Sequence, residues 1–347
     1  MQTATVIYSA ESPTRIDNFS AIADEDTVSS AKIVAGALSK LGFVTKLKLI
    51  KPNEMEEVGG IKSDLVFNLC EWAGLDYKLG VRVAQILEEN EITFTGGSSE
   101  NLLWCCEKQF MKKLFDKFDI PSANWCVYEG GKLNLPDNFR LPAVVKPAWE
   151  HCAIGIDQTS VIADPVALPG KVKAMYEHYS QPILVEEFIG GNEYQVTVLG
   201  KKGEPWVLPL AEIVYRKTKG YKPILTFSSK WFEDSPEANL SDIRIYKEEK
   251  KFEMLVSEIA KRTFLQLDCR DYVRLDVREE KGIPYVLEVN VNPGIGWEED
   301  YGMAMSARNL GMSFEDLISV IVDSAFYRNG KRRIARLHSL RLGVLGA

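Results

Sequence analysis

The segment Asp271-Tyr-Val-Arg-Leu-Asp-Val-Arg278, followed after a short turn by Pro284-Tyr-Val-Leu-Glu-Val-Asn290, constrains this chain more than any other. Its apolar and charged residues alternate, which is the pattern of paired strands because successive side chains point to opposite faces. Val273, Leu275 and Val277 then face one way, and Arg274, Asp276 and Arg278 the other. On the second strand Glu288 and Asn290 share a face, opposite Leu287 and Val289. Pairing Asp276 with Glu288 sets two carboxylates against each other, which destabilises a sheet unless a cation lies between them. Asp, Glu and Asn offer hard oxygen ligands suited to Mg2+, which leaves further positions for water and phosphate. Alternation alone also permits a solvated face on which Arg274 and Arg278 neutralise the acids.

Upstream, strand and helix patterns alternate. Thr5–Tyr8, Val44–Leu49, Leu65–Leu69 and Ile92–Phe94 read as strands, and Thr27–Leu41 and Leu79–Glu89 as helices, the first capped by Asp26 and stopped by Gly42. This rhythm predicts a parallel sheet with helices on its faces. No GxGxxG follows the first strand, so a dinucleotide fingerprint is absent. One long helix is expected from Glu100 to about Phe118. A second unit follows, with strands at Trp125–Tyr128, Ala143–Lys146 and Ile183–Glu187. A third begins near Glu193 with a hairpin, Tyr194–Leu199 and Trp206–Pro209. It continues through Tyr215–Lys230, read as a mobile basic loop, and a helix at Glu248–Gln266. The expectation is three α/β subdomains.

Composition narrows the class. The 347 residues are 46% hydrophobic and 26% charged, enough for sizeable cores. No run approaches the ~20 apolar residues of a membrane span, and no secretory leader is visible. Cys70, Cys105, Cys106, Cys126, Cys152 and Cys269 show no CxxC spacing, and with three His a zinc site is not expected. Reduced thiols and a cytoplasmic setting follow as expectations. Net charge is −7, yet from Tyr327 onward there are six Lys/Arg and no acid. Such a tail can bind an anionic partner, or simply solvate a last helix or contact the acidic body. No nucleic-acid or membrane partner is expected.

The hairpin, ending in Leu287-Glu-Val-Asn-Val-Asn-Pro-Gly294, resembles the metal-binding end of ATP-grasp ligases, particularly the D-alanine–D-alanine ligase family. Four other segments match in order: Glu107-Lys108, Val145-Lys146-Pro147, Val185-Glu-Glu-Phe-Ile-Gly-Gly-Asn-Glu193 and Met305-Ser-Ala-Arg-Asn-Leu-Gly-Met-Ser-Phe314. The resemblance runs from about Asp64 to Ile321. It implies an α/β ATP-grasp fold with ATP held between the central and C-terminal subdomains. It also implies carboxylate phosphorylation to an acyl phosphate that an amine displaces. By resemblance, Lys108 and Lys146 hold ATP phosphates, Glu186 accepts from the adenine amine, and the Phe188 and Ile189 backbone pairs with the ring edge. Glu193 takes the ribose hydroxyls and Leu287 packs on adenine. Asp276, Glu288 and Asn290 become Mg2+ ligands, Arg274 binds the acyl donor, and Lys230 in a lid covers the γ-phosphate. A lid suits the chemistry, because an acyl phosphate hydrolyses if water reaches it.

Three segments depart from the family. The phosphate loop, usually rich in Gly and Ser, reads Ala148-Trp-Glu-His-Cys-Ala-Ile-Gly-Ile156, so Cys152 and Ala153 replace serines, and Trp149, Glu150 and His151 become candidates to reach the donor. The N-terminal Gly-Gly-x-Ser that grips D-alanine is missing, with Ala10–Asp26 in its place. The Ser-x-Ser after Pro-Gly is replaced by Ile295-Gly-Trp-Glu-Glu-Asp-Tyr301, where Trp297, Glu298 and Glu299 suit a larger acceptor without a carboxylate. Helix-start acids explain the same segment without a ligand.

The expected organisation is an N-terminal βαβ domain (1–103), a central ATP-grasp subdomain (104–190), a C-terminal one (191–326) and a basic tail (327–347). The expected activity is an ATP- and Mg2+-dependent ligase joining a small carboxylate, such as an amino acid, to an amine, with small-molecule partners and a possible homodimer. The alternatives are a D-alanine–D-alanine ligase with divergent loops and a non-catalytic nucleotide-binding subunit.

Overall fold

The computed structural model describes residues 1–14, 19–201, 203–297 and 302–331, with side chains of the first helix from residue 27 onward. Three sheets organise them. The first is parallel, in the order β2-β1-β3, formed by β1 (Thr3–Ser9), β2 (Val44–Ile50) and β3 (Leu65–Leu69). The helices α1 (Phe19–Lys40) and α2 (Tyr77–Glu89) belong to this unit. α2 buries Tyr77, Gly80, Val81, Val83, Ala84, Ile86 and Leu87, the three-and-four spacing of one helical face. The expected strand at 92–94 reduces to one bridge between Val66 and Phe94. The helix expected to start at residue 27 begins at Phe19, so Asp26 falls within it rather than at its cap.

The long helix expected from Glu100 is two helices, α3 (Ser99–Cys106) and α4 (Lys108–Lys117). Ser98 caps the first, accepting from the Asn101 amide while the Asn101 side chain accepts from the Ser98 N–H. Such a cap contributes about 1 kcal/mol. Glu107 leaves helical geometry at φ −98°, ψ 85° because the Lys108 N–H donates to Ala148 O across the chain. A tertiary bond that periodicity does not encode thus breaks the helix.

The central sheet has the order β4-β7-β5-β6, all antiparallel: β4 (Trp125–Tyr128), β5 (Ala143–Pro147), β6 (Val161–Ile162) and β7 (Ile183–Glu187). Helix α5 (Leu168–Tyr179), absent from the sequence reading, packs on it through Leu168, Val172, Met175 and Tyr179. The third sheet has the antiparallel order β11-β10-β8-β12-β13, with β9 also on β8. Its strands are β8 (Glu193–Lys201), β9 (Glu204–Val207), β10 (Ala211–Tyr215), β11 (Ser241–Ile245), β12 (Asp271–Glu280) and β13 (Ile283–Val291). Helices α7 (Lys250–Gln266), α8 (Gly302–Asn309) and α9 (Phe314–Arg328) accompany it, and α6 (Phe227–Trp231) lies in the segment read as a mobile loop.

Cores cross these units unevenly. One joins Val66, Ile86 and Phe115 to Val196, Phe264, Leu275 and Val289. A second joins Val6, Leu38 and Phe67 to Leu199, Ile318 and Phe326. The third lies within the central unit and takes in Phe227 of α6, with Trp231 packed against it. The expected division at residue 104 falls inside α3, whose Trp104 is buried in the first of these cores. Arg328 and Lys331, counted with the basic tail, bind the body: Arg328 pairs with buried Asp271 and donates to Phe94 O, and Lys331 Nζ donates to Thr93 Oγ1. The tail's remaining four arginines lie outside the described residues. Among the described residues no helix is long and apolar enough to cross a membrane.

Candidate functional site

The β12–β13 hairpin sets Asp276 opposite Glu288 and Arg274 opposite Asn290. Between Asp276 and Val277 the register shifts, so that Val277 pairs with Val286 and Leu287 becomes an extra residue on β13. Such a bulge re-aims side chains. Simple alternation puts Leu287 and Glu288 on opposite faces; the structure has both lining one cleft.

That cleft, about 940 Å³ counting its open mouth, lies between the central and third sheets. It brings together Lys108, Lys146, Glu150, His151, Cys152, Glu186, Phe188, Ile189, Glu193, Lys230, Asp276, Leu287 and Glu288, all singled out from sequence. Asn290 and Arg274 sit one step behind. Arg274 grips Asp276 with two hydrogen bonds of 2.7 and 3.0 Å, and Asn290 Nδ2 donates to Asp276 at 3.0 Å and to Glu288 at 3.4 Å. Burial raises the Asp276 pKa and Glu288 adds to this, against the pull of Arg274. Burial also opposes ionisation of Glu288, but Lys108, Lys146 and Arg274 together bring it down to about 2. Two crowded carboxylates of this kind fit a hard cation. Among the described residues no cluster of three His, Cys, Asp or Glu is arranged for a metal. Asp276, Glu288 and Asn290 offer two carboxylates and an amide, a set that could hold Mg2+ completed by phosphate oxygens rather than by an all-protein cage.

The cationic wall has a member that the sequence reading missed, Lys112. Glu186 on β7 is buried and meets Lys146 on β5 and Lys112 on α4, each at 2.6 Å. Burial lowers the Lys112 pKa beyond what Glu186 restores. For Lys146, Glu186 and Glu288 outweigh burial and raise it. For Glu186, burial opposes charge but the two ammonium groups win, so it stays ionised. Two lysines thus share one buried carboxylate at the cleft wall. Glu186, expected to meet adenine, is thus already engaged by lysines. Lys112 stands one helical turn beyond Lys108, and that spacing was the only available signal. Lys108, also buried, donates from Nζ to Glu150 O.

Arg278 anchors the far end. It donates to Glu193 at 2.6 and 2.9 Å, to Ile189 O at 2.8 Å, to Tyr215 Oη at 3.2 Å and to Pro223 O, with Phe188 4.9 Å from its guanidinium. Tyr215 Oη in turn donates to Glu193 at 2.6 Å. The ribose candidate Glu193 is therefore held in place beforehand. The same network pins the segment read as mobile. Phe227 N–H donates to Ile156 O, Lys222 donates to Gln158 O and Val161 O, and a Thr226–Ser229 capping box starts α6. Lys230 on that helix reaches the cleft while remaining exposed.

The 148–156 loop, expected from sequence to meet phosphate, is held by Gln181, which accepts from the Trp149 N–H at 2.7 Å and donates to Glu150 Oε1 at 2.9 Å. Gly74 of the N-terminal unit donates to Trp149 O, and a Cβ at Gly74 would meet Glu150 Oε1 at 2.6 Å. Trp149 lies outside the cleft lining, its ring 5.5 Å from that of Tyr77. Trp297 is also elsewhere, 5.4 Å from Phe314 with Arg308 over its ring at 5.5 Å, so this ring is already engaged in the second core. Glu298 and Glu299 lie outside the described residues.

Comparison with known proteins agrees with this geometry. The family described as D-ala D-ala ligase C-terminus matches residues 114–323. A D-alanine–D-alanine ligase of Aquifex aeolicus is 31% identical over 304 residues, covering 86% of this chain and 95% of its own. An uncharacterised protein, y4sG, of Sinorhizobium fredii is 31% identical over 289 residues, covering 83% and 81%. The crystal structure of D-alanine–D-alanine ligase from Bacillus anthracis complexed with ATP superposes with a TM-score of 0.71 at 19% identity, covering 95% of this chain and 99% of that one. VanG, the D-Ala:D-Ser ligase of Enterococcus faecalis, gives 0.69 at 19% identity, covering 93% and 99%. Fold, cleft and sequence matches together identify an ATP-dependent ligase: the chain belongs to the D-alanine–D-alanine ligase family, with the ATP-grasp fold.

Proposed function

We propose that the enzyme joins a small carboxylate, an amino acid or a close analogue, to an amine other than D-alanine through an acyl phosphate. The observation that carries this reading is the pairing of Asp276 with Glu288 in a cleft whose walls supply Lys108, Lys146 and Lys230. Asp276, Glu288 and Asn290 would hold Mg2+, which supplies charge neutralisation to phosphate oxygens. Lys146, steadied by Glu186, and Lys108 would orient the transferring phosphate. Lys230 would complete the cationic surround, and the pinned 216–231 segment would exclude water from the acyl phosphate. Arg274 would meet the donor carboxylate and the oxyanion that develops on it. The altered phosphate loop, with Cys152 and Ala153 in place of the serines usual in the family, supports a substrate pair unlike theirs. A cytoplasmic homodimer is part of this reading, by analogy with the family.

The test is ADP release with ATP and Mg2+ across D- and L-amino acids, singly and with pooled amines, the products identified by mass spectrometry. Turnover with D-alanine alone would refute the acceptor assignment and make the loop differences incidental. Asp276→Asn and Glu288→Gln are expected to abolish turnover with circular dichroism unchanged. Normal ADP release by either variant would sink the metal assignment.

A further inference from the structure

His151 and Cys152 have no part in the chemistry above. Nδ1 of His151 lies 3.0 Å from Sγ of Cys152, both residues half-buried and both on the cleft lining. Cys152 and Ala153 have φ of 54° and 63°, successive left-handed residues that side chains other than glycine seldom adopt. The loop holds them there: Ile154 N–H donates to His151 O at 3.0 Å, and Trp231 Nε1 on α6 donates to Cys152 O at 3.3 Å. Strain maintained by surrounding bonds at a cleft points to a use for the residue so held. The charged groups facing the sulfur are Lys230 from α6, Arg274 from β12, the imidazole beside it, and Glu71 from the segment after β3.

We propose that Cys152, paired with His151, is a site of covalent S-modification by small soft electrophiles, and that its modification and nucleotide occupancy of the cleft exclude each other. The second half rests on the nucleotide reading of the cleft; the first half does not. Reactivity of a cysteine requires the thiolate. Burial opposes that form, but the charge and hydrogen bond of His151, with Lys230, outweigh it and hold the thiol below its ordinary value. His151 is correspondingly pushed up to about 10, burial opposing and Cys152 prevailing. Cys70, Cys105, Cys106, Cys126 and Cys269 are all raised by burial, Cys105 to about 12 and Cys126 to about 11. With an α-haloamide, a sulfur lone pair forms the C–S bond, the halide leaves with the C–X pair, and His151 keeps its proton. The added group stands in the loop that would cradle phosphate.

The experiment treats the full chain with limiting iodoacetamide at neutral pH and follows each cysteine by peptide mass mapping. Cys152 is expected to react at least about tenfold faster than the other cysteines, corresponding to one pKa unit or more. Its rate should persist as pH falls below the ordinary thiol range, because a depressed pKa keeps the sulfur ionised there. His151→Asn should slow Cys152 alone, with Cys152→Ser as the labelling blank. Faster labelling elsewhere, or a wild-type pH profile centred on an ordinary thiol, would overturn the site. MgATP should protect Cys152. Selective labelling unprotected by nucleotide that calorimetry shows to bind would overturn the exclusion. Failure of ATP to bind at all would be a failure of the ligase reading, and selective labelling would still decide for the site.

Discussion

Replacing Glu186 by Gln separates two roles that this residue can have. The carboxylate is 2% exposed and lies 2.6 Å from both Lys112 and Lys146, whose side chains are 0% and 10% exposed. Removing its charge leaves the buried Lys112 and the cleft-lining Lys146 side by side without the carboxylate that joins them. Breaking a buried ion pair by deleting one partner costs about 3–5 kcal/mol, a large part of the ~5–15 kcal/mol that holds a typical domain. Lys112→Met should cost only about 1–2 kcal/mol, because Glu186 keeps Lys146 and the methionine fills the lysine stem's volume. The double variant should recover much of the Glu186→Gln loss. Urea unfolding followed by tryptophan fluorescence reads this directly, since Trp125 on β4 pairs in register with Glu186. If Glu186 served only to accept from adenine, Glu186→Gln would weaken ATP binding and leave the urea midpoint unmoved. A shift below 1 kcal/mol, or an equal cost for Lys112→Met, would refute the shared-carboxylate argument.

Arg278→Met should weaken ATP binding by about 10–100-fold, because Glu193, Ile189 O and Pro223 O lose one common charged donor. Calorimetry checks this, and unchanged affinity would show that the network does not organise the cleft. Asp271→Asn keeps the left-handed backbone there (φ 62°) but removes the charge shared by Gly96 N–H, Ser324 and Arg328. The loss should be about 1.5–3 kcal/mol. Thermal unfolding is the measurement, and a neutral result would mean that Arg328 finds another partner.

The site's polar skeleton was legible because it rests on strand alternation and on ordered motifs. Asp276 opposite Glu288 needs only a period of two, and the lysine-bearing segments match a known family in order. What escaped depends on contacts between distant parts of the chain. Leu287 was named through the family resemblance alone, because it turns into the cleft through a bulge that strand alternation does not encode. Lys112 stands within an ordinary Lys112-Lys113 pair and acquires meaning only when β7 brings Glu186 against it. The interruption at Glu107 follows from one hydrogen bond to Ala148. Helix α5 was hidden by its Pro169-Gly170 start, a pair that locally signals a turn although Pro is well suited to the first turn of a helix. The 216–231 segment has a loop's composition but is fastened by Arg278, Lys222 and Phe227.

The two cores shared by the first and third sheets bear on how such a chain can be divided and recombined. The region by which its family is recognised, 114–323, begins inside α4 and ends inside α9. α9 packs against α1, and its Ile318 and Phe326 share a core with Val6 and Leu38. Cut at those borders, the fragment would carry half of each shared interior exposed to water. The segment is a unit of recognition and not a unit of folding. An N-terminal part exchanged between relatives must bring with it, or be refitted to, the face of α9 on which it rests, so changes of substrate are easier to reach through loops than through transplanted halves.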